Sequence, residues 1–345
     1  MEGPRITRRA GLLAGAFAMF ALAGAAPASA LDHVIMRINF TPWGMHSPWF
    51  GGKAQGFFEE EGIDLEIRPP SAGQQNEVFI GTGREQFGLA NADSFIKARA
   101  SGLPVVAVMA DQPDTPFSVI TLKESGIDTP EALKGKKISW FQTNVKGLLD
   151  PVLSAADLTR DDIEFVAVAR GAEVQMLAAK QVDALFGYSF GQALTLDMRG
   201  FPTSVMPVKD YGAQFYGTVV YTNEDMVKNN PDLVTRFLRA ALKSYMWTMD
   251  HKKEAMEEIV KVSPDRDLDL ETKKSEIIFG LYNSPEYADG FGTMNDEKWA
   301  SSIAILNDSG DLPQQPDPSE MYTNAFIEAL PEAKELGTAL GAATN

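Results

Sequence analysis

The chain has 345 residues, no cysteine and a formal charge of −16, with 44% hydrophobic residues. A chain of this length buries enough apolar surface to fold without disulfides, and without a thiol it has neither a cysteine nucleophile nor a Cys-ligated metal site. The acidic balance argues against nucleic acid and anionic membrane surfaces as general partners.

Residues 1–30 read as a secretion signal rather than as part of the fold. Arg5, Arg8 and Arg9 form a basic start, residues 11–25 are apolar and Ala/Gly-rich, and Ala28-Ser29-Ala30 offers small residues for cleavage near Ala30. The apolar stretch is short and weakly hydrophobic for a membrane anchor, so export to the periplasm is expected. Removing three Arg and one Glu takes the mature charge to −18.

Strand and helix signals then alternate. Residues 34–40 read as a strand, 48–58 as a helix, 63–67 as a strand with apolar alternation, 75–82 as a helix, 86–90 as a strand, 93–101 as a helix and 104–110 as a long apolar strand. Successive β-α-β units imply a largely parallel sheet covered by helices. The pattern restarts after Leu122. Thr129-Pro130-Glu131 opens a helix, and strands are expected at 136–140, 163–168 and 184–186. Between them lie a helix with Val145, Leu148, Leu149, Val152, Leu153 and Ala156 on one face and another over 172–180. From Asn230-Pro231 onward the signals are helical, and this tail is expected to pack back onto the first unit.

The expected organisation is thus α/β: residues 31–119 as the first part of lobe 1, 120–218 as lobe 2, and 219–345 as the return to lobe 1 with its C-terminal helices. The chain is expected to cross between lobes near 117–121 and 216–222, and those crossings are read as the hinge. Ligands of open parallel sheets sit beyond the carboxyl ends of the strands, so those positions are the candidates. The first strand end carries Trp43, His46 and Trp49, suited to stacking on a planar solute and to hydrogen bonding. Trp49 suits equally a core-facing helix. The second strand end carries Gly73 before a helix, and the third carries Asn91 and Asp93, the latter also a natural helix cap. In the second lobe Phe141, Gln142 and Thr143 follow one strand, Tyr188 and Gln192 follow another, and Tyr216 lies at the return crossing. No Lys or Arg occupies the five strand-end stretches, which favours a planar, hydrogen-bonding solute held between Trp43 and Tyr188 over a strongly anionic one.

Gly187-Tyr188-Ser189-Phe190-Gly191 fits the G-x-S-x-G elbow of serine hydrolases. The only histidine after Ser189 is His251, in a polar stretch away from any strand end, and no HGGG-type oxyanion segment is present. Three scattered histidines offer no metal-binding spacing. The expectation is a binder and not an enzyme, with no metal or cofactor.

Four blocks carry a family resemblance: "HSPWFGGKAQGFFEEEGIDLEI", "REQFGLANADSFIKARASGLPVVAV", "TPEALKGKKIS" and "LAAKQVDALFGY". Over roughly residues 33–250 the chain resembles the NMT1/THI5-like group of periplasmic substrate-binding proteins for nitrate, sulfonates, taurine and pyrimidine precursors. The resemblance implies a type II periplasmic-binding-protein fold, each lobe a mostly parallel sheet flanked by helices. It also implies a small-molecule ligand, an ABC permease with its ATPase as partner, and a monomer. Gln142-Thr143-Asn144 stands where sulfonate binders carry Gly-Ser. "FGYSFGQALTLDMRG" is more similar to the pyrimidine-precursor binders, although Gln192 is the nearest residue to the Glu those proteins often place there. A sensory role in place of import uses the same lobe closure.

Overall fold

The computed structural model describes residues 1, 3, 30–70, 73, 75–140, 146–169, 171–282, 287 and 290–342. Its strands are β1 (Asp32–Arg37), β2 (Ile63–Arg68), β3 (Phe87–Asn91), β4 (Val105–Ala110), β5 (Phe117–Leu122), β6 (Lys137–Trp140), β7 (Glu164–Ala167), β8 (Ala184–Tyr188), β9 (Thr203–Pro207) and β10 (Thr218–Asn223). They form two five-stranded sheets, ordered β2-β1-β3-β10-β4 and β7-β6-β8-β5-β9. The expected α/β architecture of two lobes, each a sheet flanked by helices, is therefore present.

Both sheets share one plan. β1 pairs in parallel with β2 and β3, and β6 with β7 and β8, while β10 and β5 run antiparallel to both of their neighbours. All six residues of β4, β5 and β10 are buried; β4 accordingly reads as a continuous apolar run, while β5 and β10 carry Ser, Thr and Asn within theirs.

The crossings between the sheets lie elsewhere than expected. Residues 117–121 and 218–222 are strands inside the two sheets, and the crossings are the flanking segments 111–116 and 208–217. Here the two passes of chain bond to each other: Asp111 and Gln112 donate N–H to Thr218 O, Gly217 to Gln112 O, and Thr115 to Phe215 O. Segments rich in β-branched and aromatic residues, such as 117–122 and 218–223, suit the sheet, whereas Asp, Gln, Pro and Gly at 111–116 and 212–217 tolerate the irregular passage.

The C-terminal helices close the first sheet. The helix Pro231–Asp250 has proline at its first turn and buries Val234, Phe237, Leu238, Ala241, Leu242 and Tyr245, an i, i+3, i+4 stripe. Phe237 stacks on Phe87 of β3 with ring centroids 3.8 Å apart, and Trp49 lies 5.9 Å from Phe237. The helix Ser47–Ala54 packs directly on this long helix, and a Cβ on Gly52 would sit 1.7 Å from Ser244 Oγ. Only glycine permits that approach. Two later helices also touch the second lobe, Leu268–Leu281 at Ser189–Ala193 and Asp296–Asp308 at Lys146–Leu149. Among the described residues no helix is long and apolar enough to cross a membrane.

Candidate functional site

A cavity of about 330 Å³ opens between the two sheets. Of the expected residues, Trp43, Asn91, Asp93, Tyr188, Gln192 and Tyr216 line it. Phe141, Gln142 and Thr143 lie outside the described residues. Gly73 is exposed and stands apart from the cavity lining, with φ of +71°.

Trp49 belongs to the core, not the cleft. It is fully buried between Phe237 and Tyr245, because the helix Ser47–Ala54 turns that face toward the long C-terminal helix. His46 is also fully buried and sits behind the lining. Its Nδ1 accepts the Trp43 N–H at 3.4 Å, so the ring proton belongs on Nε2, which donates to Asn39 Oδ1 at 2.9 Å. Burial, aided by the nearby Arg266 charge, pushes its pKa down to about 3, so it is neutral at ordinary pH. Asn39 Nδ2 in turn donates to Asn91 Oδ1 at 2.7 Å. Both asparagines line the cavity, and the Asn91 oxygen is engaged by this bond.

The ring that meets Trp43 directly is Phe190, with Tyr188 one ring further on. Trp43 stacks on Phe190, centroids 5.4 Å apart and planes 22° from parallel, and Phe190 in turn stacks on Tyr188 at 5.8 Å. A planar ring entering between Trp43 and Phe190 would part them to about 7 Å, two van der Waals spacings. Phe190 lies inside G-x-S-x-G, one residue beyond the Ser that the motif draws attention to. Ser189 itself stands outside the lining, and none of the three histidines bonds to it. His33 pairs with Asp64, His46 with Asn39, and His251 with Trp247 O. Among the described residues, no histidine is therefore placed as a base for the elbow.

Gly187 serves a different purpose in that motif. A Cβ there would meet the Gln192 amide at 3.1–3.3 Å, and the glycine lets that amide fold back so that Oε1 accepts the Tyr188 N–H at 2.9 Å. Gln192 Nε2 then donates to Glu173 Oε1 at 3.3 Å. Glu173 is a lining residue that the strand-end reading passed over, although it follows β7 as the other candidates follow their strands.

Charge also reaches the cavity from an unexpected direction. Arg266 and Lys274 line it from the helical tail, both beside Glu271, with Lys274 Nζ 2.9 Å and Arg266 3.7 Å from Glu271 Oε1. Glu271 Oε2 accepts the Gly44 N–H at 2.8 Å and fixes this cluster to the Trp43 loop. Nothing local in the sequence ties residues 266–274 to residue 44. Asp93, opposite in charge, has its pKa raised to about 6 by burial, with Lys97 pulling the other way. Tyr216 is nearly buried, and its hydroxyl accepts the Asn295 N–H at 2.9 Å, so that group is already engaged.

Comparison with known proteins places this geometry. A relative named 4-amino-5-hydroxymethyl-2-methylpyrimidine phosphate synthase, from Saccharomyces cerevisiae, is 27% identical over 325 residues, covering 90% of this chain and 92% of its own. The formylaminopyrimidine-binding protein of Halalkalibacterium halodurans is 26% identical over 292 residues, covering 83% and 88%. Among solved structures, the periplasmic aliphatic sulphonate binding protein SsuA of Escherichia coli superposes with a TM-score of 0.69 at 16% identity, covering 84% of this chain and 91% of its own. The expectation of a non-enzyme is corrected by these findings. The synthase name is an enzyme's name, it recurs among the relatives, and it belongs to chains aligned over most of this one. That no histidine bonds to Ser189 does not make the chain a non-enzyme. The family model described as NMT1/THI5 like matches residues 43–255, well over half of the chain, and the protein belongs to the NMT1/THI5-like family.

Proposed function

We propose that this chain captures a small planar, pyrimidine-like solute by closing two lobes on it, as the exported solute-binding component of an ABC-type importer. The observation that carries the reading is the aromatic ladder Trp43–Phe190–Tyr188, built from both sides of the cavity. The formylaminopyrimidine in the name of one binding-protein relative, and the pyrimidine in the name of another relative, support the ligand class. The periplasmic-binding-protein fold supports capture by closure about the paired crossings 111–116 and 208–217. In this reading residues 1–30 direct export, residues 31–119 and 219–345 make lobe 1, and 120–218 make lobe 2. The partner is a membrane permease with its ATPase, met by a monomer.

A second reading takes an anionic solute such as a sulfonate or aromatic carboxylate. Arg266 and Lys274 favour it, since they share a single carboxylate at the cavity edge. Titration calorimetry against aminopyrimidines, aromatic acids, alkanesulfonates and nitrate separates the two. Micromolar or tighter binding of a pyrimidine, weakened at least about tenfold by Trp43→Ala, is the expected result. Heat only with sulfonate or nitrate would overturn the planar-solute proposal.

A further inference from the structure

The least expected group in the cavity is a carboxylate. Glu173 lines the cavity and its residue is only 4% exposed. Its Oε2 accepts the Gly171 N–H at 2.6 Å and its Oε1 accepts Gln192 Nε2 at 3.3 Å. Both donors are neutral, and among the described residues no Lys, Arg or His is bonded to it. A carboxylate has about four lone-pair positions, so bonds from the described residues leave roughly half of its capacity unused at the cavity wall. A buried anion with only neutral donors is costly, and a partner with N–H donors offsets that cost.

The surroundings hold this carboxylate in place. The Tyr188 N–H fixes the Gln192 oxygen, which turns the Gln192 NH2 toward Glu173, and Gly187 supplies the space for that fold-back. The cavity's cations, Arg266 and Lys274, are instead tied to Glu271 of the helix Leu268–Leu281, whose other oxygen accepts the Gly44 N–H of the Trp43 loop. We propose that Glu173 reads an N–H donor edge of the bound solute, with Gln192 as its positioning residue. An amino group on a planar ring, alone or beside a protonated ring nitrogen, matches the open acceptor positions. A ring that carries an alkoxy group there sets its lone pairs against the carboxylate and is rejected. The assignment rests on the planar-solute reading above and specifies which edge of that solute faces lobe 2.

Titration calorimetry with 4-amino-5-hydroxymethyl-2-methylpyrimidine and its 4-methoxy analogue tests this directly. The native chain prefers the amino compound at least about tenfold. Glu173→Gln weakens amino binding about 10- to 100-fold and changes methoxy binding less than about threefold, erasing the preference. Gln192→Ala shows the same pattern at smaller amplitude, about three- to tenfold. Thermal melts confirm that the variants are folded, and Glu173→Ser, judged by the same ratio, replaces Glu173→Gln if that variant is not. A preserved amino-to-methoxy ratio in the folded variant overturns the role of Glu173. Equal binding of both compounds by the native chain overturns it too, while leaving the planar-solute reading intact. Binding of neither removes the planar-solute reading, and this assignment with it.

Discussion

Replacing Asp111 with Asn removes a buried ionisable group from the crossing between the lobes. Asp111 follows β4 directly, is 1% exposed, and accepts hydrogen bonds from the Thr218 and Tyr245 hydroxyls, joining the outgoing crossing, the returning strand and the long C-terminal helix. Burial pushes its pKa up to about 7 despite the Thr218 hydroxyl, against an ordinary value of 3.8. Below the ordinary value the group is neutral folded and unfolded, so it contributes no pH dependence. Between the two values the folded state holds the extra proton, and stability falls as pH rises. Above about 7 the carboxylate is charged in both states and the full penalty applies. A shift of about three units corresponds to on the order of 4 kcal/mol across that window. The amide introduced by Asp111→Asn keeps an acceptor for one hydroxyl and does not titrate. Urea unfolding followed by tryptophan fluorescence, at steps from pH 4.5 to 7.5, therefore shows the native chain losing stability relative to Asp111→Asn. With an m-value of about 3 kcal/mol/M the difference in midpoints changes by roughly 1 M. Asp93 also titrates in this range, but it is common to both proteins and cancels in the difference. Parallel stability curves for the two proteins would refute the reasoning.

Gly52→Ala places a methyl group 1.7 Å from Ser244 Oγ, and a loss of about 1–3 kcal/mol in chemical denaturation is expected, partly relieved by adding Ser244→Ala. His46→Ala breaks the chain from Trp43 N through Asn39 to Asn91, so calorimetry should show solute affinity falling about tenfold. Because the folded pKa of His46 is depressed to about 3, the unfolded chain takes up the extra proton below its ordinary value of 6.5, so stability falls progressively as pH drops from there toward about 3, and affinity should be flat from pH 6 to 8. Ser189→Ala changes solute affinity less than about twofold, since that residue is outside the lining. Ester hydrolysis that this substitution abolishes would restore the serine as a nucleophile.

Periodicity alone made most of the fold legible. The apolar runs at 105–110 and 184–188 and the alternation at 63–68 are local signals of burial, and the structure forms strands there. β5, β9 and β10 were harder, because a short apolar strand between irregular segments gives no sign of which sheet will accept it. Their antiparallel insertion into the two sheets is decided by pairing partners far away in the chain. For the site, the rule that ligands meet strand ends located Trp43, Asn91, Asp93, Tyr188 and Gln192 at the cavity. Applied to β7 as well, it would have reached Glu173.

What the sequence determined by itself was the two-lobed α/β plan and the aromatic character of the cleft, both of which follow from residue type and short-range spacing. Tertiary structure decided which aromatic rings meet. Trp49 turned into the core because Phe237 and Tyr245 cover its face, and Phe190 took the place opposite Trp43. It also brought Arg266 and Lys274 from the helical tail to the Trp43 loop, through the Glu271 carboxylate on the Gly44 N–H, two residues 227 positions apart in the chain. Charge at a cavity is set by packing between distant segments, and no local pattern of residues records it.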